Sequence, residues 1–239
     1  RRSSDLEILC LANSKKLGGR CLAGLSWPDL QTWIRPVDLT TEHGEVPSNR
    51  AQVNSPEGRR WIRPLDVISV DLTGRVPTPA QPENWAMGSS PVTLVRTLDI
   101  AEVANRLRSV ADTSSSVFDL GGGREVPVSV ALLGLPKSIA LFEVQALSFN
   151  KDHWGKWRTE FQYGNCPYRY FPVTDLDVEG RLERASLPRE TDVGQWFLTI
   201  SLGEPYRPPD GRESHWLIVA AAISIPPEVP DPQPEEEPF

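Results

Sequence analysis

The chain has 239 residues, 39% of them hydrophobic and 24% charged, a globular balance with length enough to bury a core without staples. Its formal charge is −7, but Glu228, Asp231, Glu235, Glu236 and Glu237 fall in the last dozen residues and leave the body at about −2. A body so near neutrality excludes a protein that coats nucleic acid over its whole surface, so any such contact has to come from a local basic patch.

Frequent proline and glycine punctuate the chain into short segments, which favours strands over long helices. Glu7–Ala12 (EILCLA) reads as a buried strand, Asn13–Gly19 as a polar hairpin connection and Arg20–Leu25 as the returning strand. Trp33–Val37 is a third strand, which Pro36 confines to an edge or a strand end. The stretch 38–60 reads as a long loop or insertion, Leu65–Leu72 (LDVISVDL) as a strand, Thr78–Asn84 as a Pro-rich loop and Val92–Leu98 as a closing strand. One helix is well signalled: Asp99 and Glu102 form a capping box, and Ile100, Val103, Ala104 and Leu107 make one apolar stripe. Gly121–Gly123 marks a flexible connection. Strands then follow at Ile139–Phe149, Trp157–Gly164, Tyr168–Asp175, Trp196–Leu202 and Trp216–Ile225, before an acidic, Pro-rich tail.

The pattern predicts a mainly β protein of two OB-like (oligonucleotide-binding) β-barrels with one connecting helix. The expected divisions are a first barrel over 1–98, the helix and Gly-rich connection over 99–135, a second barrel over 136–226 and a disordered tail over 227–239. A single sandwich is the alternative. The tetrapeptide WIRP occurs at Trp33 and again at Trp61, but the flanks do not match, so it is only a hint of duplication.

Cys10, Cys21 and Cys166 have neither CxxC spacing nor a histidine pair, which points to thiols in a reducing compartment and to no bound metal. No apolar run approaches the roughly 20 residues that span a bilayer. No signal-peptide core follows the first five residues. The expectation is a cytoplasmic protein with no membrane partner.

No phosphate-binding loop, HExxH or GxSxG motif is present, and His43, His153 and His215 share no spacing, so no catalytic set and no cofactor are expected. Two basic-aromatic groups are the candidate binding residues. Lys15, Lys16 and Arg20 lie in and beside the first hairpin turn, with Trp33 and Arg35 on the next strand. Lys151, Trp154, Lys156, Trp157, Arg158, Tyr168 and Arg169 interleave cations and rings within twenty positions. Bases stack on exposed rings while Lys and Arg follow phosphates. Within a strand pair, however, half of these side chains point inward.

The segments ILCLANSKKLGGRCLAGL, TWIRPVD, LDVISVDL, FPVTDLDVE, FLTISLGEPY and HWLIVAAAI resemble those of the bacterial dual OB-containing domain family, from Ile8 to Ile225. The resemblance implies two OB-like barrels, an association with bacterial defence systems and no catalytic residues. The function expected is recognition of single-stranded nucleic acid or a nucleotide-like ligand. The alternative is an adaptor that docks a partner effector protein.

Overall fold

The computed structural model describes residues 4–184, 192–209 and 211–226. The tail expected over 227–239 lies outside them. Strand makes up 53% and helix 12%, so the mainly β class holds.

The first half supplies β1 (Ser4–Lys16), β2 (Gly19–Ser26), β3 (Trp33–Val37), β4 (Gln52–Ser55), β5 (Gly58–Trp61), β6 (Asp66–Arg75), β7 (Asn84–Met87) and β8 (Thr93–Thr97). Five of these close a barrel in the order β1-β2-β3-β7-β6-β1, with β3 and β7 parallel and the other pairs antiparallel. That is the Greek-key order of an OB barrel. The long β1 makes closure possible. Its Ser4–Leu9 segment pairs with β6 and Ile8–Lys16 with β2, and a register shift between Cys10 and Ala12 bends the strand between its partners. Its apolar run is continuous because both faces are buried. Ile8 and Cys10 join Leu22, Ile34, Ile68 and Val70 in the first barrel's core. Leu9 and Leu11 face a second core built with the rest of the chain.

The second half supplies α1 (Ile100–Val110), β9 (Glu125–Pro127), α2 (Val128–Ala131), β10 (Ile139–Lys151), β11 (Trp157–Tyr163), β12 (Cys166–Pro172), α3 (Leu176–Glu183), β13 (Asp192–Tyr206) and β14 (Ser214–Ile225). Its sheet runs β12-β11-β10-β13-β14-β9. Just past β12, Val173 bridges Val219 of β14 in parallel, and the Thr174 N–H donates to the Val219 carbonyl at 3.0 Å. The sheet thus curls into a partly open barrel with the strand order of the first.

The capping box forms as expected, with the Asp99 carboxylate accepting from the Ala101 N–H and Glu102 accepting from the Asp99 N–H. Three expectations are corrected. Residues 38–60 carry the β4–β5 hairpin, whose strands are too short and polar to stand out. The stretch 78–84 runs into β7, which completes the first ring. Helix α3 was not expected, because Gly180 at its centre costs about 1 kcal/mol relative to Ala and weakens its signal. The two WIRP copies are not equivalent: Trp33 opens a barrel strand, whereas Trp61 ends the inserted hairpin.

The halves meet along the outward face of β1, β2 and β3. Ala12 and Ala23 pack on Ile139 and Ala220. The Thr199 hydroxyl donates to the Leu11 carbonyl (2.7 Å), and Glu83 accepts from the Ser138 N–H and hydroxyl (both 2.7 Å). Small side chains let the two sheets approach closely.

Candidate nucleic-acid interface

The first basic group sits on the β1–β2 hairpin, where Lys15 opposes Arg20 and Lys16 opposes Gly19 across a Leu17–Gly18 turn. Lys15 is ion-paired with Glu179 of α3. Lys16 reaches Glu204 of β13 (2.9 Å) with only 8% of its side chain exposed. The Arg20 guanidinium lies 4.1 Å from the ring centroid of Trp61. Trp33 and Arg35 are corrections. Both lie on the face of β3 that the second half covers: Trp33 is partly buried in two of the shared cores, and Arg35 is 1% exposed. Arg35 donates from Nη2 to the Ser201 hydroxyl at 3.1 Å, while its buried Nε and Nη1 have no partner among the described residues. Neither belongs to an open groove.

In the second group the β10–β11 turn is organised by Asp152. One of its oxygens accepts from the Trp154 and Lys156 N–H groups at 2.9 Å, and the other accepts from Arg158 Nε at 2.9 Å. Burial pushes the Asp152 carboxyl up, but these amides and the Arg158 guanidinium together bring it below the ordinary carboxylate range. The turn thereby presents Trp154, 71% exposed, beside an exposed Lys156.

Along β11 the period of two turns Trp157, Thr159, Phe161 and Tyr163 inward and Arg158, Glu160 and Gln162 outward. Trp157 and Tyr168 are therefore also corrections, because both belong to the core of the second barrel. Trp157 Nε1 donates to Glu183 (2.8 Å), and Lys151, paired with the same carboxylate, lies 4.9 Å from its ring centroid. Tyr168 stacks on Phe161, and its hydroxyl accepts the Val117 N–H at 2.8 Å. Beyond Tyr168 the register slips: Phe161 faces Tyr168 but Thr159 faces Phe171, so Arg169 and Tyr170 together oppose Glu160. Tyr170 takes φ 60° in this bulge, and both residues become exposed, Tyr170 by 56%.

A groove of about 460 Å³ brings part of both groups together, lined by Lys15 from the first half and by Lys156, Arg158, Glu179 and Glu183 from the second. Trp154, Arg169 and Tyr170 lie on the same turn and strand pair. The hairpin's Lys16 faces another cleft, shared with Cys21, Gln81 and Ser201.

A separate cleft of about 390 Å³ opens between the halves, lined by Asn13, Arg59, Arg60, Trp61, Arg63, Asp175, Asp177 and Arg184 among others. None of these residues is among the candidate binding residues read from the sequence, although the run Arg59-Arg60-Trp61-Ile62-Arg63 carries the same cation-and-ring signal. Arg60 is held by Asp66 (2.7 and 2.8 Å). Asp175 caps α3, accepting from the Asp177 and Val178 N–H groups on one oxygen and from the Ala222 N–H on the other. Burial outweighs those donors and pushes its carboxyl up to about 7.

Among the described residues no cluster of three or more His, Cys, Asp or Glu is placed to hold a metal ion, and no helix is long and apolar enough to cross a membrane. His215 is buried, with Nδ1 2.9 Å from the Gly203 carbonyl.

A family model described as a dual OB-containing domain matches residues 6–222. No curated protein and no solved structure matches the chain.

Proposed function

Because the chain belongs to the dual OB-containing domain family, we propose that it is a non-catalytic recognition module that binds single-stranded nucleic acid across the outward face of β11 and β12. OB barrels take oligonucleotides on the face of their second and third strands and on the loop between the first and second. In the first barrel that face, β2 and β3, is covered by the second half. In the second barrel it is open.

The observation that carries the reading is the bulge that turns Arg169 and Tyr170 outward together on β12. Beside them the Asp152-braced turn holds out Trp154 and Lys156, and Lys15 extends the cationic edge from the other half. Rings for bases and cations for phosphates are what sequence-tolerant strand binding uses, at about 1–3 kcal/mol per stacked base. A role as the sensor of a bacterial defence system, in the cytoplasm, belongs to the same proposal.

The test is an anisotropy titration of the full chain with labelled single-stranded DNA, single-stranded RNA and duplex DNA at two salt concentrations. Single strands should bind more tightly than duplex and lose affinity with salt. Absence of binding, or a preference for duplex, would overturn the reading.

A second reading, an adaptor docking a partner effector protein, is favoured by one feature. Val130, Leu132 and Leu133 around α2 are 47%, 64% and 86% exposed, an apolar cluster of the kind that protein partners cover.

A further inference from the structure

The cleft between the halves has features that strand binding on β11 and β12 does not use. At its wall, Asn13 is 6% exposed. Its Nδ2 donates to the Ile62 carbonyl at 2.6 Å, which fixes the orientation of the amide, and its Oδ1 is left buried without a donor among the described residues. An unmet buried acceptor carries a desolvation penalty unless something supplies an N–H. On the same wall stands Trp61, 37% exposed. Arg20 lies over its ring, 4.1 Å from the centroid, and the cleft itself is lined by three arginines besides the Asp66-bound Arg60. Arg59 is engaged only through the Asn49 carbonyl, and the side chains of Arg63 and Arg184 have no partner among the described residues. The volume, about 390 Å³, lies at the lower end of small-ligand sites.

We propose that this cleft is a mononucleotide site. A nucleoside 5′-monophosphate sets its phosphate against Arg59, Arg63 and Arg184 and its base against Trp61, with a base N–H donated to Asn13 Oδ1. Guanidinium groups suit phosphate because they offer paired, charge-assisted donors. Asp177 opposes the anion but is outnumbered three to one. Asp175, raised to about 7 by burial, carries only part of a charge near neutrality. This site is independent of the strand-binding face.

Isothermal titration of the full chain with AMP, GMP, CMP, UMP and inorganic phosphate tests it. At least one nucleotide should bind at one per chain, with phosphate at least about tenfold weaker because it makes no contact with Trp61 or Asn13. The double variant Arg63→Ala/Arg184→Ala alters two exposed side chains, and its melting curve reports whether it folds. It should weaken nucleotide binding at least about tenfold. No heat from any nucleotide at millimolar concentration, equal affinity for phosphate, or an unaltered affinity in a folded double variant would each overturn the proposal. Strand binding is read in its own titration, so the two readings fail separately.

Discussion

Arg35 on β3 donates to the hydroxyl of Ser201 on β13 at 3.1 Å, and both residues are buried. This bond marks how the barrels are joined: the outward strand face of the first is closed against the second, with a cation buried in the seam. Two of its nitrogens are already without partners among the described residues. Ser201→Ala leaves a third, and should cost about 1–3 kcal/mol in urea unfolding. Arg35→Met removes the unmet donors along with the charge, so it should cost less than Ser201→Ala. Strand affinity should be unchanged in both. A large affinity loss in Arg35→Met would mean that the seam is not closed in solution.

Asp175 predicts a pH dependence. Its folded value near 7 lies above the ordinary carboxylate value of about 3.9. Between those limits the folded chain holds a proton that the unfolded chain has released, so stability contributed by this group is full at about pH 4 and falls as pH rises toward 7. Asp38, Asp112 and Asp152, all shifted down, act in the opposite sense and below that window. Asp175→Asn should flatten the decline between pH 4.5 and 7.5 in urea midpoints. It should also be the less stable protein at pH 4.5, where an amide N–H₂ would face the Ala222 N–H. An unchanged slope would refute the assignment.

The core rings should behave as core. Trp157→Ala should cost about 3–5 kcal/mol. Tyr168→Phe, which strips the acceptor from the Val117 N–H, should cost about 1–3 kcal/mol. Thermal or urea unfolding measures both. A fully stable Trp157→Ala with reduced strand affinity would move that ring back to the surface.

Tyr170 separates stability from binding. Glycine adopts φ 60° without the penalty of a side chain. Tyr170→Gly should therefore melt at the same temperature as the unmutated protein or higher, while losing about 1–3 kcal/mol of strand affinity. A lower melting temperature with unaltered affinity would contradict the role given to the bulge.

Local signals in the sequence proved reliable where chemistry fixes geometry over a few residues. Asp99 and Glu102 are enough to place α1, and the doubly apolar run at Ile8–Ala12 marks a strand buried on both faces. Which face a ring takes was not legible. Trp154, Trp157, Tyr168 and Tyr170 look alike along the chain, and Tyr170 faces outward through a one-residue slip opposite Glu160, between Phe161 and Thr159, that no local residue announces. Trp33 and Arg35 misled because their covering comes from strands more than 100 positions away. The inter-barrel cleft was hidden for the same reason: Arg63 and Arg184, more than 100 positions apart, come to one cleft only in the folded chain.

In the strand-binding proposal Lys156 and Arg169 contact the phosphates of a bound single strand. The direct measurement is the affinity for a labelled single-stranded oligonucleotide across a series of salt concentrations, for the unmutated chain and for Lys156→Ala/Arg169→Ala. Both side chains are exposed and free of ion pairs among the described residues, so unfolding should shift by no more than about 0.5 kcal/mol. The double variant should bind more weakly, with a log–log salt slope shallower by roughly 0.7 for each lost contact. Affinities and slopes that overlay those of the unmutated chain would contradict these phosphate contacts.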